Sequence, residues 1–92
     1  MNLVTLDFET YYAQNFSLSK ITTEQYIRDR RFEVIGLGLK HGPNPTEWAQ
    51  GADDVTELLA SVDWDNTHVL AHNMMFDGAI LSWRYNIKPK FL

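Results

Sequence analysis

The sequence predicts a small α/β domain with a four-stranded mixed sheet in the order 3-2-1-4. Three observations predict it. Three runs of strand-forming residues come first, at 2–8, 32–40 and 46–49, with turn-rich chain between the second and third. An amphipathic helical pattern then intervenes before a fourth short apolar run at 68–71, as a crossover to a parallel strand requires. A second helical pattern follows, so the element order is β-β-β-α-β-α. At 92 residues the chain makes one small domain, which buries roughly 60–65% of its unfolded surface.

The first strand rests on Leu3-Val4-Thr5-Leu6-Asp7-Phe8, a run of β-formers. The polar stretch at 10–31 is long enough to be functional rather than idle. Within it Thr22-Thr23-Glu24-Gln25 fits a capping box, which predicts a short helix at 24–29. The second strand places Gly36 and Gly38 on one face, leaving room for a bulky group to lie across the sheet. His41-Gly42-Pro43-Asn44-Pro45 is a strong turn into the third strand, so the first three strands form an antiparallel meander. The helix at 53–62 carries Val55, Leu58, Leu59 and Val62 at i, i+3, i+4, i+7, and Asp53, Asp54 and Glu57 lie towards its positive end. After a loop at 63–67 and the fourth strand, the helix at 75–85 is expected to bury Phe76, Ala79, Ile80 and Trp83, with an extended tail at 87–92. The first strand then lies mid-sheet, and this order is the opening of a ribonuclease-H-like fold.

Composition narrows the function. Apolar residues make up 45% of the chain, which places it among globular proteins. It has no cysteine, hence no disulfide framework and no thiolate metal site, and this fits a reducing, cytoplasmic setting. No apolar run is long enough to span a membrane, and no signal peptide is evident at the N-terminus. The net charge of −4 is unevenly spread. Residues 43–77 hold seven acids and no Lys or Arg, while residues 11–42 hold five bases against three acids, and Arg84, Lys88 and Lys90 follow. Basic flanks around an acidic centre can guide a phosphate backbone to a metal site.

Asp7 and Glu9 are the informative residues. Side chains two apart on a strand share a face, so two carboxylates sit together at the end of a hydrophobic strand. Unpaired buried charge is unfavourable, and a divalent cation offsets it. Asn73-Met74-Met75-Phe76-Asp77, after the fourth strand, supplies a third carboxylate. Clustered carboxylates suit Mg²⁺ or Mn²⁺ with retained waters, and two such ions about 3.5–4 Å apart serve an in-line phosphoryl displacement. In that chemistry Asp7 bridges both ions, Glu9 holds the ion that generates hydroxide, and Asp77 attends the other. Tyr11 and Tyr12 directly follow the first pair and are candidates for touching nucleic acid. Lys20, Arg28, Arg30 and Arg31 are candidates for phosphate, against the plainer reading of a solvated face. Trp48 and Trp64 can stack bases; Trp83, on the helix stripe, is assigned to the core. His72 is read as a packing or hydrogen-bonding residue, and His41 and His68 lack metal-ligand spacing.

These motifs resemble those of the DnaQ-like (DEDD) 3′–5′ exonucleases. Leu6-Asp7-Phe8-Glu9-Thr10 looks like the family's first motif, and Ala71-His72-Asn73-Met74-Met75-Phe76-Asp77 looks like the second. The insertion at 17–33 resembles that of proofreading domains in bacteriophage DNA polymerases, and the likeness covers essentially the whole chain. The resemblance implies metal-dependent hydrolysis at the 3′ end of single-stranded DNA, releasing nucleoside monophosphates, in a bacterial or phage-infected cytoplasm. It implies that Asp7, Glu9 and Asp77 are three of four metal-binding carboxylates for two Mg²⁺ or Mn²⁺ ions. Asn73 and Phe76 then shape the pocket for the terminal nucleotide, and the backbone near Thr10 meets its 3′ end. The family's third motif, an Asp with a Tyr or His a few residues before it, has no counterpart: no acid follows Asp77. The expectation is therefore a C-terminally truncated domain over 1–92, inactive alone, with a fourth strand whose exposed edge favours self-association or pairing with the downstream remainder. An RNA substrate, and a non-catalytic nucleic-acid-binding or scaffold role, stay open as alternatives.

Overall fold

The computed structural model describes residues 2–13 and 16–90. It is an α/β domain whose elements run β1 (Asn2–Thr10), α1 (Thr23–Arg28), β2 (Val34–His41), β3 (Glu47–Gln50), α2 (Ala52–Ala60), a 3₁₀ turn (Trp64–Asn66), β4 (Thr67–Ala71) and α3 (Met74–Tyr85). The sheet order is β3-β2-β1-β4. β1 and β2 pair antiparallel, as do β2 and β3, while β4 lies parallel to β1. The predicted strand order and pairing are those found.

Alternation along β1 sets the layering. Val4, Leu6 and Phe8 are buried, whereas Leu3, Thr5, Asp7 and Glu9 are exposed. Leu37 and Leu39 of β2, Ala49 of β3 and Val69 of β4 join the same buried side. Val55 and Leu59 of α2, Tyr26 and Ile27 of α1, and Ile80 and Leu81 of α3 complete one core. The opposite face of β1 carries the two acids.

Local chemistry explains the element ends. The Thr22 side chain accepts from the Gln25 N–H while the Gln25 side chain accepts from the Thr22 N–H, so the predicted capping box is formed. Asn73 caps α3 by accepting from the Phe76 N–H, and Asn86 ends it in the left-handed conformation, φ 55°. The glycines of β2 have their expected occupant. A Cβ on Gly36 would meet the Trp48 ring at 2.4 Å, so the indole lies across this glycine.

Several expectations shift. Phe32 and Glu33 precede β2 rather than belonging to it, although Phe32 is buried. Thr46 falls outside β3, and the expected loop at 63–67 contains the 3₁₀ turn. Residues 87–90 adopt no regular element; Phe91 and Leu92 of the expected tail lie outside the described residues. The largest correction concerns α3. Its fully buried positions are Asp77, Ile80 and Leu81, whereas Trp83 is 39% exposed. Phe76 and Ala79 pack against the core from its margin. The buried stripe is turned by about one residue from the expected one. The cause is Asp77, which a hydrophobic pattern assigns to solvent but which the fold turns inward.

Candidate functional site

The end of β1 creates a need that Asp77 meets. Leu3 O accepts from the Gly42 N–H on the β2 side. Backbone groups alternate in direction along a strand, so the even-numbered residues of β1 direct theirs towards β4. The parallel pairing with β4 stops at Leu6 and Ala71, where the chain turns into α3. The Phe8 N–H lies just past that stop. It donates instead to Asp77 Oδ1 at 3.0 Å, a buried contact spanning 69 residues. The first turn of α3 is thereby tied to β1 between Asp7 and Glu9.

Asp77 feels the charges of the two acids on β1. Burial pushes the Asp77 carboxyl above the usual carboxylate range, and the negative charges of Asp7 and Glu9 push the same way. The Phe8 and Asn73 N–H groups oppose these effects by hydrogen bonding to the charged form, without cancelling them. Asp77 is 2% exposed, while Asp7 and Glu9 stand on the open face of β1. A cation bound beside them would relieve both the burial and the repulsion that Asp77 feels. Oxygen-only donors suit a hard divalent ion that keeps part of its water shell. Among the described residues, no group of three His, Cys, Asp or Glu side chains closes around a common metal position. Asp77 thus lies within the influence of the two β1 acids, and the three do not form a finished cage among the described residues.

The remaining candidate residues fall around the same strand end. Thr10 closes β1, and a register shift between Glu9 and Thr10 redirects the chain there. The Tyr11 N–H donates to Glu33 O at 2.9 Å, and the Tyr11 ring is exposed and stacks on Phe16. Phe76, on the first turn of α3, is half-buried, with its ring centroid 6.0 Å from that of Tyr26. Asn73 is exposed, and its side chain is engaged in capping α3.

No family model, curated protein or solved structure matches the chain. The site therefore rests on its own geometry. That geometry adds one residue that motif reading passed over, Tyr26. Its hydroxyl donates to the Tyr11 carbonyl and lies 2.9 Å from Thr10 Oγ1. A phenol has one proton to give, so with that proton on the Tyr11 carbonyl the Thr10 hydroxyl is the donor to Tyr26. The Tyr26 ring sits 4.6 Å from Phe16 and meets Phe32 edge-on at 5.4 Å. Tyr26 thus holds Thr10 and Tyr11 by hydrogen bonds and faces Phe76 through its ring. The only signal for it in the sequence is its place one turn into a capped helix.

The other histidines and tryptophans sort by contact. Trp64 donates from its indole N–H to Leu59 O and is partly buried, a packing role. His41 lies 3.8 Å from Glu47, beside the turn between β2 and β3. His72 is exposed in the turn before α3. Among the described residues, no helix is long and apolar enough to cross a membrane.

Proposed function

We propose that this chain carries the first two motifs of a DnaQ-like 3′–5′ exonuclease with a ribonuclease-H-like fold. The observation that carries the reading is Asp77: a carboxylate at a core position of α3, hydrogen-bonded to the strand between Asp7 and Glu9 and held above its ordinary pKa partly by their charges. A helix acid placed only to favour its dipole has no reason to turn inward onto the strand segment between Asp7 and Glu9. The element order and the sheet order 3-2-1-4 support the same reading.

In this reading Asp7, Glu9 and Asp77 supply oxygen ligands for two Mg²⁺ or Mn²⁺ ions. Bound there, such a pair stabilises the attacking and leaving oxygens of phosphodiester hydrolysis. Phe76 offers a ring to the terminal base of a single-stranded DNA 3′ end, Asn73 borders that pocket, and the Thr10–Tyr11 backbone faces the terminal sugar. Tyr26 keeps that backbone in place. The 92 residues hold no acid beyond Asp77, so they supply three of the family's four ligands. That shortfall favours, as a second reading for the chain by itself, binding of nucleic acid without cleavage.

A thermal-melt titration with Mn²⁺ and Mg²⁺ tests the metal centre. Ions that bind the folded state raise its melting temperature. Asp7→Ala should abolish the rise and Asp65→Ala, a distant surface acid, should leave it intact. Equal responses from the two variants mean that the ions merely screen an acidic surface, and the metal centre is then wrong.

A further inference from the structure

Trp83, exposed near the end of α3, belongs to a second feature. The last turn of α3 (Trp83, Arg84, Tyr85) and the approach to β2 (Phe32, Glu33, Val34) line a cleft of about 360 Å³. That volume is at the small end of ligand-binding clefts. Two guanidinium groups lie over rings here: Arg84 over Phe32 at 5.0 Å and Arg28 over Trp83 at 4.7 Å. Arg28 also pairs with Glu24 at 3.2 Å, but both groups are exposed, and such a pair is weak enough to exchange for a phosphate. Arg84 makes no ion pair among the described residues. Trp83 and Arg84, consecutive and exposed, thus present ring surface at the cleft beside a positive charge that no ion pair neutralises among the described residues.

We infer that this cleft is a metal-independent contact for single-stranded nucleic acid, taking one base against Trp83 and the adjoining phosphate on Arg84 and Arg28. Proteins that hold single strands combine positive charge along the backbone with aromatic faces for the bases. Arginines held over rings present a planar guanidinium fork that matches the geometry of phosphate oxygens. The acid of the lining, Glu33, sits across from α3 on the β2 side. It keeps phosphate on the α3 side and can accept from a base N–H, such as N3–H of thymine. The same segment is joined to the end of β1, through Tyr11 N–H to Glu33 O and the pairing of Thr10 with Val34. The cleft therefore borders the strand end that carries the acids, yet uses none of them. The inference stands whether or not those acids bind metal.

Fluorescence anisotropy of a labelled oligothymidylate, in EDTA and low salt, tests it with the chain as it exists. The wild-type chain should bind, and Asp65→Asn, at an exposed acid outside the cleft, should bind equally. Trp83→Ala should weaken binding about fivefold or more, the low end for loss of one stacked base. Arg84→Gln should weaken it and lower the slope of log affinity against log salt by about 0.7, one phosphate contact on a single strand. Arg84→Lys should restore that slope. Trp83 and Arg84 are exposed, and thermal melts of each variant check that the fold survives. No binding by the wild-type chain overturns the inference, as does binding indifferent to Trp83 and Arg84. A poly-glutamate peptide that competes as well as the oligonucleotide also overturns it, by marking a general anion surface. Binding that appears only when Mg²⁺ replaces EDTA would overturn it by assigning the contact to the acids instead. The EDTA condition keeps this result separate from the metal titration.

Discussion

The Asp77 carboxylate has two roles that substitution can separate. Asp77→Ala removes the acceptor of the buried Phe8 N–H, which lies 3.0 Å from Oδ1. An orphaned buried donor costs about 1–3 kcal/mol. For a domain of this size each kcal/mol moves the melting temperature by roughly 4–8 °C, so the drop should be on the order of 10 °C. Asp77→Asn keeps the Oδ1 acceptor and discards a charge that burial, Asp7 and Glu9 all disfavour. Its stability at neutral pH and without metal should lie within about 1 kcal/mol of wild type, or above it. The pH dependence follows from the direction of the shift. The folded-state pKa of Asp77 is raised, so between the ordinary value of 3.8 and the raised one the native state holds more protons than the unfolded state. Over that window Asp77 makes stability fall as pH rises, and its contribution is most favourable below it. Asp77→Asn should remove this component. Circular-dichroism melts of the three proteins in EDTA, across acidic to neutral pH, supply the test. If Asp77→Asn melts as low as Asp77→Ala at neutral pH, the carboxylate charge itself stabilises the fold, and the electrostatic argument for a cation at this position fails.

Other outcomes follow from single contacts. Gly36→Ala should destabilise by about 1–3 kcal/mol through overpacking, since its Cβ would strike the Trp48 ring at 2.4 Å and Ala49 O at 3.0 Å; Gly38→Ala, whose nearest contact is 3.6 Å, should be tolerated, and equal melts would refute the contrast. Tyr26→Phe keeps the ring stack but loses the Thr10 and Tyr11 hydrogen bonds, with an expected loss of about 1–3 kcal/mol in chemical denaturation; an unchanged midpoint would show that these bonds hold nothing. Among the described residues β4 pairs only with β1 and shows Leu70 on the open face, so light scattering should detect self-association that Leu70→Lys reduces. A monomer at all concentrations contradicts that. On the exonuclease proposal a fourth ligand is needed that these 92 residues do not hold, so a 3′-labelled oligonucleotide should survive incubation with them and Mg²⁺, and cleavage would disprove the need for it.

The sheet was legible because its signals are local. Alternation in β1, the turn at residues 41–45 and the i, i+3, i+4, i+7 stripe of α2 each act within a few residues, and the strands and helices follow them. The face of α3 was not legible, because its orientation depends on a contact 69 residues away in sequence. A hydrophobic pattern treats Asp77 as outward and Trp83 as inward. In the fold Asp77 is inward, bonded to the Phe8 N–H past the end of the β4 ladder, and Trp83 is outward. Tyr26 was missed for a related reason: its partners, Thr10 and Tyr11, are brought to it by a loop whose path no periodicity encodes. Asp7 and Glu9 were legible as a pair, since strand geometry alone places alternate side chains on one face.

The same contact bears on whether Asp77 is a structural or a functional acid. A buried N–H at a strand end is satisfied as well by an Asn side chain, which carries no charge and incurs less desolvation. The fold instead has a carboxylate there, with two more acids near enough to oppose its ionisation. A purely structural role explains the hydrogen bond and leaves the charge unexplained. A cation-binding role would explain both, because the N–H fixes one oxygen of Asp77 beside the strand and a bound cation would offset the charge. The two accounts diverge where metal and substitution meet. On the structural account, Asp77→Asn leaves any response to Mn²⁺ unchanged; on the metal account, it weakens that response as Asp7→Ala does, even though the metal-free protein is no less stable.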